Sequence, residues 1–398
     1  MKYCIIITDG ASGHPLTEYK NRTSLEAACT PYLDLLACEG ELGISNNVPL
    51  GMEPSSAIAC MSLLGYDPKV FYKGRASIEA VSLNVPMEEN CSIFRCNFVN
   101  IQDGIMRSYN SGEIQSNEAS ILIKALNEKL GSDVVEFYPG VNYRHILKIK
   151  DGGASLNATT TAPHDISDKS IIGHLPCGPG SQILNELMEA SKDILRDHYI
   201  NKNRVVNGEI PASQIWLFWG APPLKKWPSM QEKYGLNGAI SSAVPLLNGL
   251  GTMMGMDILS IDGVTDTDTN DYSKQIAESI KALDKYDLVV VHVEAPDEMG
   301  HIGDAKRKIG SIEDIDKYMV SAIYEYAKDK DMRVLIMPDH PTPIELKTHT
   351  SEPVPYLLWG TGIKRGLNAR FAEKQAKKSG NCLENGYNMM KKLTEATS

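Results

Sequence analysis

Along this chain, short apolar runs without alternation stop abruptly at charged or turn-forming residues. Such runs read as strands buried on both faces of a parallel sheet, because a half-exposed strand alternates apolar and polar positions. Residues 3–8 form the first, Tyr-Cys-Ile-Ile-Ile-Thr, and end in Asp9-Gly10. Another, Leu288-Val289-Val290-Val291-His292-Val293, leads into Glu294-Ala295-Pro296-Asp297 and then Gly300-His301. A third, Val334-Leu335-Ile336-Met337, is stopped by Pro338-Asp339-His340 and by prolines at 341 and 343. Proline removes a backbone donor and fixes φ, so neither strand nor helix continues there. Residues 214–220 and 257–261 read as further core strands.

Helices are predicted over residues 24–39, 240–254, 274–285 and 311–328, and residues 40–54 read as polar and irregular. Residues 54–68 read as a loop entering a helix, which Gly65-Tyr66-Asp67-Pro68 ends. From about Pro86 the texture changes. A strand over 92–99 is followed by the hairpin signal Gln102-Asp103-Gly104, an amphipathic helix over 117–130, and a strand over 143–149. The pattern predicts an α/β protein: a doubly wound core sheet from residues 1–85 plus 206–398, with an inserted smaller α+β domain at 86–205.

Composition narrows the function classes. The net charge of −10 and pI near 5.5 argue against nucleic acid as the main partner, and leave room for a locally basic pocket that takes a small phosphorylated metabolite. No apolar run approaches the ~20 residues that cross a bilayer, so no membrane partner is expected. None of the 8 cysteines forms a Cys-x-x-Cys pair, and several sit in apolar runs as small buried hydrophobes of a reducing compartment. The chain enters its first strand at once, without the features of a signal peptide, and a cytoplasmic location is expected.

The polar residues that end the apolar runs carry the chemistry. Open α/β sheets bind ligands at the C-terminal edges of their strands. Asp9 alone would be a turn residue, Asp297 and His301 alone a solvated helix pair, and Asp339 alone a turn cap. Three of the 9 histidines (His301, His340 and the nearby His349) fall beside these carboxylates, which core packing does not explain. Carboxylates and imidazoles without thiolate suit Mn²⁺ or Zn²⁺. Ser56 sits at a predicted helix start, where free N–H groups favour negative charge; the plain reading is an N-cap, the chemical one a nucleophile. Counting Ser56, the group is too large for one tetrahedral ion and suits two. Two metals clamp the phosphoryl group in in-line transfer and activate a hydroxyl at neutral pH. Lys73-Gly74-Arg75 adds cations nearby in sequence.

With these residues assembled, the chain resembles the cofactor-independent phosphoglycerate mutases of the archaeal type, in the alkaline phosphatase superfamily. The resemblance rests on Asp9-Gly10-Ala11, the Ser56 loop with Ser62-Leu63-Leu64-Gly65-Tyr66-Asp67-Pro68, Tyr72-Lys73-Gly74-Arg75, Phe94-Arg95-Cys96-Asn97, Tyr143-Arg144-His145 and Pro163-His164-Asp165. It extends through Glu294-Ala295-Pro296-Asp297, Gly300-His301, Pro338-Asp339-His340 and Thr348-His349-Thr350. It implies an alkaline-phosphatase-like core and a 3-phosphoglycerate to 2-phosphoglycerate isomerase of glycolysis working through a phosphoserine at Ser56. It implies two divalent ions, Mn²⁺ first with Zn²⁺, Co²⁺ or Mg²⁺ as alternatives, and neither a nucleotide nor 2,3-bisphosphoglycerate. One ion would be held by Asp297, His301 and His349, the other by Asp9, Ser56, Asp339 and His340. Arg75, Arg95, Arg144, His145, His164 and Asp165 would contact substrate. A homo-oligomer is left open. Where family members usually carry Gly-Ser-Asp, this chain has Ser55-Ser56-Ala57. That keeps a homoserine kinase-like enzyme, a phosphopentomutase and a phosphohydrolase as alternatives on the same core.

Overall fold

The computed structural model describes residues 1–366 and 369–395. The chain divides into two compact units, Met1–Tyr72 with Trp227–Ser398 and Lys73–Lys226. The first unit begins with β1 (Lys2–Thr8) and β2 (Glu41–Ser45). The second supplies β3 (Ser92–Gln102), β4 (Ile105–Ser108), β5 (Val135–Tyr138), β6 (Arg144–Ile149) and β7 (Gln214–Ala221). The first unit resumes with β8 (Gly238–Ser241), β9 (Asp257–Ile258), β10 (Leu288–Val293), β11 (Met332–Met337), β12 (Val354–Gly360) and β13 (Cys382–Leu383).

The first unit is built on one mixed eight-stranded sheet, ordered β13-β2-β12-β11-β1-β10-β8-β9. β1 runs parallel to both β10 and β11, while β12 is antiparallel to β11 and to β2. The central strands are apolar throughout because both faces are covered. Cys4 and Ile6 pack with Val289, Val291, Val334 and Ile336 in one layer, and the alternate residues Ile5, Ile7, Val290 and Leu335 are equally buried. Each such side chain contributes about 1.5–3 kcal/mol of transfer free energy. No helix among the described residues is long and apolar enough to cross a membrane.

Several predicted elements differ in the structure, mostly at prolines. The helix over 24–39 is two helices, Ser24–Ala27, closed by a Thr23–Glu26 capping box, and Pro31–Glu39, with Pro31 at the first helical position where its missing N–H costs nothing. Residues 41–45, read as irregular, are β2. The stretch 240–254 splits into β8 and a helix Pro245–Met253, again opened by proline. The segment 311–328 lies within Ala305–Asp314, a π-helical turn Ile315–Val320, and Ser321–Ala327. In the π turn, Asp316 accepts backbone hydrogen bonds from Tyr32 (3.2 Å) and Leu33 (2.6 Å), so its carboxylate caps the Pro31–Glu39 helix. Where the first unit gives way to the second and resumes, Tyr66, Phe71 and Trp227 form an aromatic cluster with ring centroids 5.4–5.6 Å apart, and the Lys233 ammonium lies 4.4 Å from the Tyr66 ring.

The second unit is a five-stranded sheet in which β6 and β7 flank β3, both antiparallel to it. β7, expected in the core sheet from its apolar run, belongs here. Among the described residues β7 pairs with β3 alone and so lies at an edge, yet both its faces are covered over Gln214–Phe218, and such a strand loses its alternation just as a parallel one does. Trp216, Leu217 and Phe218 join the core formed with the helices Ser116–Leu130 and Ser181–Asp197. The unit's helix Arg75–Ser82 packs Ala76 and Ala80 against Ile93, Ile146 and Ala221.

Candidate functional site

β10, β1 and β11 lie in register to their C-terminal ends, Thr8 opposite Val293 and Ile7 opposite Met337. The residues that follow therefore emerge at one edge of the sheet: Asp9, Glu294 and Asp339. Gly10 turns the chain away with φ +60°, and a Cβ there would lie 2.4 Å from Asp297 Oδ1, so a side chain would displace that carboxylate.

All seven predicted metal-type residues converge at this edge. His340 Nε2 lies 3.2 Å from Ser56 Oγ, 3.2 Å from Asp339 Oδ2 and 3.6 Å from Asp9 Oδ1. Asp297 Oδ2 lies 3.1 Å from His301 Nε2, and its Oδ1 lies 3.5 Å from His349 Nε2. His349 joins the groups, its ring centroid 4.1 Å from that of His340 and 4.7 Å from that of His301. Ser56 opens the helix Ser56–Leu63. The Ser55 hydroxyl makes no cap hydrogen bond and its Oγ is buried without a partner, so the orphan N–H groups of the first turn are not all consumed by a side chain.

Supporting groups fix these side chains. Asp339 Oδ1 accepts from the N–H of Gly10 (3.2 Å) and of His340 (2.8 Å), and Cys60 Sγ lies 3.5 Å from its Oδ2. Thr342 donates its hydroxyl to Asp297 Oδ1. Lys347 O and Pro54 O lie 3.0 and 3.3 Å from the Nδ1 atoms of His301 and His349, which leaves both Nε2 atoms turned to the cluster. His292, inside β10, lies 2.7 Å from Asp9 Oδ2 through Nε2 and 2.9 Å from Ser242 Oγ through Nδ1. His292, Glu294, Cys60 and Thr342 were not singled out from sequence. An imidazole in a run of valines reads as core, and only the register of β10 against β1 aims it at Asp9.

Electrostatically, the edge is over-supplied with buried carboxylates. Burial, and then the charge of Asp339, hold the Asp9 carboxyl well above its ordinary range. Burial and Asp297 do the same to Glu294. Asp297 is also pushed up by burial, yet hydrogen bonds from His301 and His349 hold it well below the ordinary range. The same pairing overrides burial at His301, whose pKa rises to about 9. Asp9 Oδ1 and Glu294 Oε2 are buried with no hydrogen-bond partner. Orphaned, desolvated carboxylate oxygens beside the imidazoles of His340 and His292, whose pKa values burial lowers, fit divalent cations, which supply the charge the protein lacks. Two groups, Asp297 with His340 and the half-buried His349, and Asp9 with Asp339 and His340, each offer ligand atoms within 4.8 Å of one another.

The six predicted substrate contacts lie in the second unit. Glu79 gathers two arginines: its Oε1 is 2.7 Å from Arg75 Nε and its Oε2 is 3.2 Å from Arg95 Nε. Arg95, and then Arg75 and Arg144, act on the Glu79 carboxyl and hold it low despite its burial. Arg144 lies over the Tyr143 ring at 4.7 Å. His164 meets the Trp219 ring edge-on at 5.6 Å, with Asp165 beside it, Oδ1 3.7 Å from His164 Nε2. His145 is placed differently. It is buried against Phe98, its Nδ1 accepts from Gly140 N, and burial drops its pKa to about 3. It is a neutral core residue beneath the arginines. Glu79 and Trp219 were missed from sequence; the four-residue spacing of Arg75 and Glu79 on one helix was the available signal.

A family model described as 2,3-bisphosphoglycerate-independent phosphoglycerate mutase matches residues 37–201. Curated relatives that carry this name include one from Methanosarcina mazei, 41% identical over 384 residues (96% of each chain). Another, from Methanothrix thermoacetophila, is 39% identical over 395 residues (99% of each chain). Among solved structures, a Pyrococcus horikoshii protein superposes with TM-score 0.82 at 24% identity, covering 98% of this chain and 96% of its own, which shows the fold. The cofactor-independent phosphoglycerate mutase from Thermoplasma acidophilum superposes with TM-score 0.64 at 25% identity over the full length of both chains.

Proposed function

This chain belongs to the 2,3-bisphosphoglycerate-independent phosphoglycerate mutases, and on that premise we propose that it moves the phosphoryl group by way of Ser56. It is an isomerase of glycolysis, and its substrate is a small phosphorylated metabolite. The observation that carries the proposed route is the position of Ser56 Oγ: at a helix start, 3.2 Å from His340 Nε2, among buried carboxylates and imidazoles.

In the first half-reaction, Ser56 Oγ bonds to phosphorus as the bond from phosphorus to O3 of the glycerate breaks. The proton given up by the hydroxyl is made good on the departing O3, and the glycerate stays bound. In the second, O2 of the glycerate bonds to phosphorus as the Ser56 Oγ–phosphorus bond breaks, and Ser56 regains a proton. No other phosphate donor is consumed. The N-terminus of the Ser56–Leu63 helix favours the negative charge that gathers at Oγ. Asp297, His301 and His349 would hold one divalent ion and Asp9, Ser56, Asp339 and His340 a second, with Mn²⁺ the first choice. Such ions would offset charge on the phosphoryl oxygens and lower the pKa of the serine hydroxyl. Arg75, Arg95 and Arg144 take the anionic groups of the substrate, flanked by His164 and Asp165. His145 supports this group from the core.

The test is a rapid quench of metal-loaded enzyme with 3-phosphoglycerate alone, followed by peptide mass spectrometry. Phosphate on Ser56 during turnover, and loss of both phosphate and turnover in Ser56→Ala, are expected. Full activity in Ser56→Ala would refute the route.

A further inference from the structure

Within the second unit, Trp219 has φ +51°, the only aromatic among the described non-glycine residues with positive φ. A bulky side chain rarely adopts this strained conformation, which persists where the surroundings impose it. The cause is a bulge in β7. Between Ile93 and Arg95 of β3, the partner residue moves from Ala221 to Phe218, so β7 carries one residue more than its neighbour. Bulges of this kind re-aim a side chain. Here the Trp219 N–H turns to Thr160 Oγ1 at 3.2 Å. Gly220 follows because a Cβ there would lie 2.5 Å from the Phe94 ring.

The re-aimed indole meets two guanidiniums, with Arg75 Cζ and Arg95 Cζ each 5.4 Å from the Trp219 ring, inside cation–π range. The chain is tightened to allow this. Gly74 has φ +134°, and a Cβ there would lie 2.5 Å from Ala221 Cβ, so the helix start that carries Arg75 presses onto β7 beside the bulge. Arg75 Nε donates to Glu79 Oε1 at 2.7 Å, and Arg95 forms an ion pair with the other oxygen, Nε to Oε2 3.2 Å. The ring faces both arginines and Glu79 fixes the Nε edge of Arg75 and offsets the charge of Arg95, and their terminal N–H groups remain for a planar or tetrahedral oxyanion.

We propose that Trp219, set by the β7 bulge, is a positioning residue that clamps Arg75 and Arg95 together with Glu79 so that the pair receives an oxyanion of the substrate. This rests on the reading that these arginines bind substrate. The strain at Trp219 is the cost of a preorganised site.

Trp219→Gly, Trp219→Phe and Arg95→Met in the full-length enzyme test it through the melting temperature and a separate KM and kcat for 3-phosphoglycerate. Glycine removes the ring and also relieves the positive φ. The expected result is a melting temperature within a degree or two of the parent, KM raised about tenfold, and kcat within about twofold. Trp219→Phe, which keeps an aromatic face, recovers most of the loss in KM. A lowered melting temperature with unchanged KM would assign Trp219 to packing alone and overturn the proposal. Raised KM in Arg95→Met with unchanged KM in Trp219→Gly sinks the clamp and spares the arginine reading. Unchanged KM in both removes the arginine reading and the clamp with it. Trp219→Leu carries the same comparison if the glycine variant does not fold.

Discussion

His292 offers the sharpest test of the proposed cation sites at the sheet edge. The imidazole is buried within β10, Nε2 2.7 Å from Asp9 Oδ2 and Nδ1 2.9 Å from Ser242 Oγ. The backbone N–H of Val244 donates to that same Ser242 oxygen at 3.0 Å, which leaves the hydroxyl proton free to go to Nδ1. Nε2 is then the protonated nitrogen, and it donates to the Asp9 carboxylate while leaving Oδ1 for a metal. The two amide substitutions separate the ends of this relay. Asparagine reaches about as far as Nδ1 and keeps the Ser242 end; glutamine reaches about as far as Nε2 and keeps the Asp9 end. A hydrogen bond to a charged group contributes about 1.5–3 kcal/mol, and losing it at the carboxylate proposed as a metal ligand translates into roughly 10- to 150-fold in affinity. His292→Asn is therefore expected to weaken Mn²⁺ binding at the Asp9 site by at least tenfold, and His292→Gln by much less. Chelator competition followed by metal quantification gives the constants, and circular dichroism checks that each variant is folded. Equal Mn²⁺ affinity in His292→Asn and the parent would refute the relay. A larger loss in glutamine than in asparagine would reverse the assignment of its two ends.

Exhaustive chelation should lower the melting temperature, and Mn²⁺ should restore it, because an ion that binds only the folded state at 100 times its Kd adds about 2.7 kcal/mol; calorimetry with and without metal measures this. Asp316 is held up to about 6 by burial, against the two backbone hydrogen bonds it accepts. Its folded pKa lies above its unfolded one, so its stabilising effect is greatest below about 4 and is lost as pH rises through 6. The melting temperature of the parent minus that of Asp316→Asn should fall over that interval, and a flat difference would contradict the burial argument. Arg333 donates to Thr361 O, Leu393 O and Glu395 O from a buried position. Arg333→Met should cost about 3 kcal/mol or more by orphaning those carbonyls, and should expose the helix Met389–Thr394 to carboxypeptidase, read by mass spectrometry.

Asp9, Asp297, His301, Asp339 and His340 drew attention because they follow the ends of apolar runs, and breaks at strand ends leave a trace in one dimension; Ser56 stood out by a helix start and His349 by its nearness to His340. His292 did not, because its role depends on which strand lies beside β10. Membership of β7 in the second sheet was hidden for a related reason. Gln-Ile-Trp-Leu-Phe-Trp is continuous whether the covering layers belong to one sheet or the other, and only pairing with β3 decides it. Glu79 and Trp219 act through geometry alone: a bulge of one residue is invisible until both strands are seen. The helix breaks at Pro31 and Pro245 could have been read, since proline opens helices as readily as it ends strands.

The cluster of Tyr66, Phe71 and Trp227 has a consequence for how this chain can change. The polypeptide departs from the mixed sheet and comes back to it at one aromatic knot, so the ends of everything between are already joined. A spacer of a few residues in place of that segment closes a short loop at little entropic cost. The eight-stranded scaffold is thus a socket, and a different segment can be spliced in at the knot without rebuilding the strand ends that carry Asp9 and Asp339.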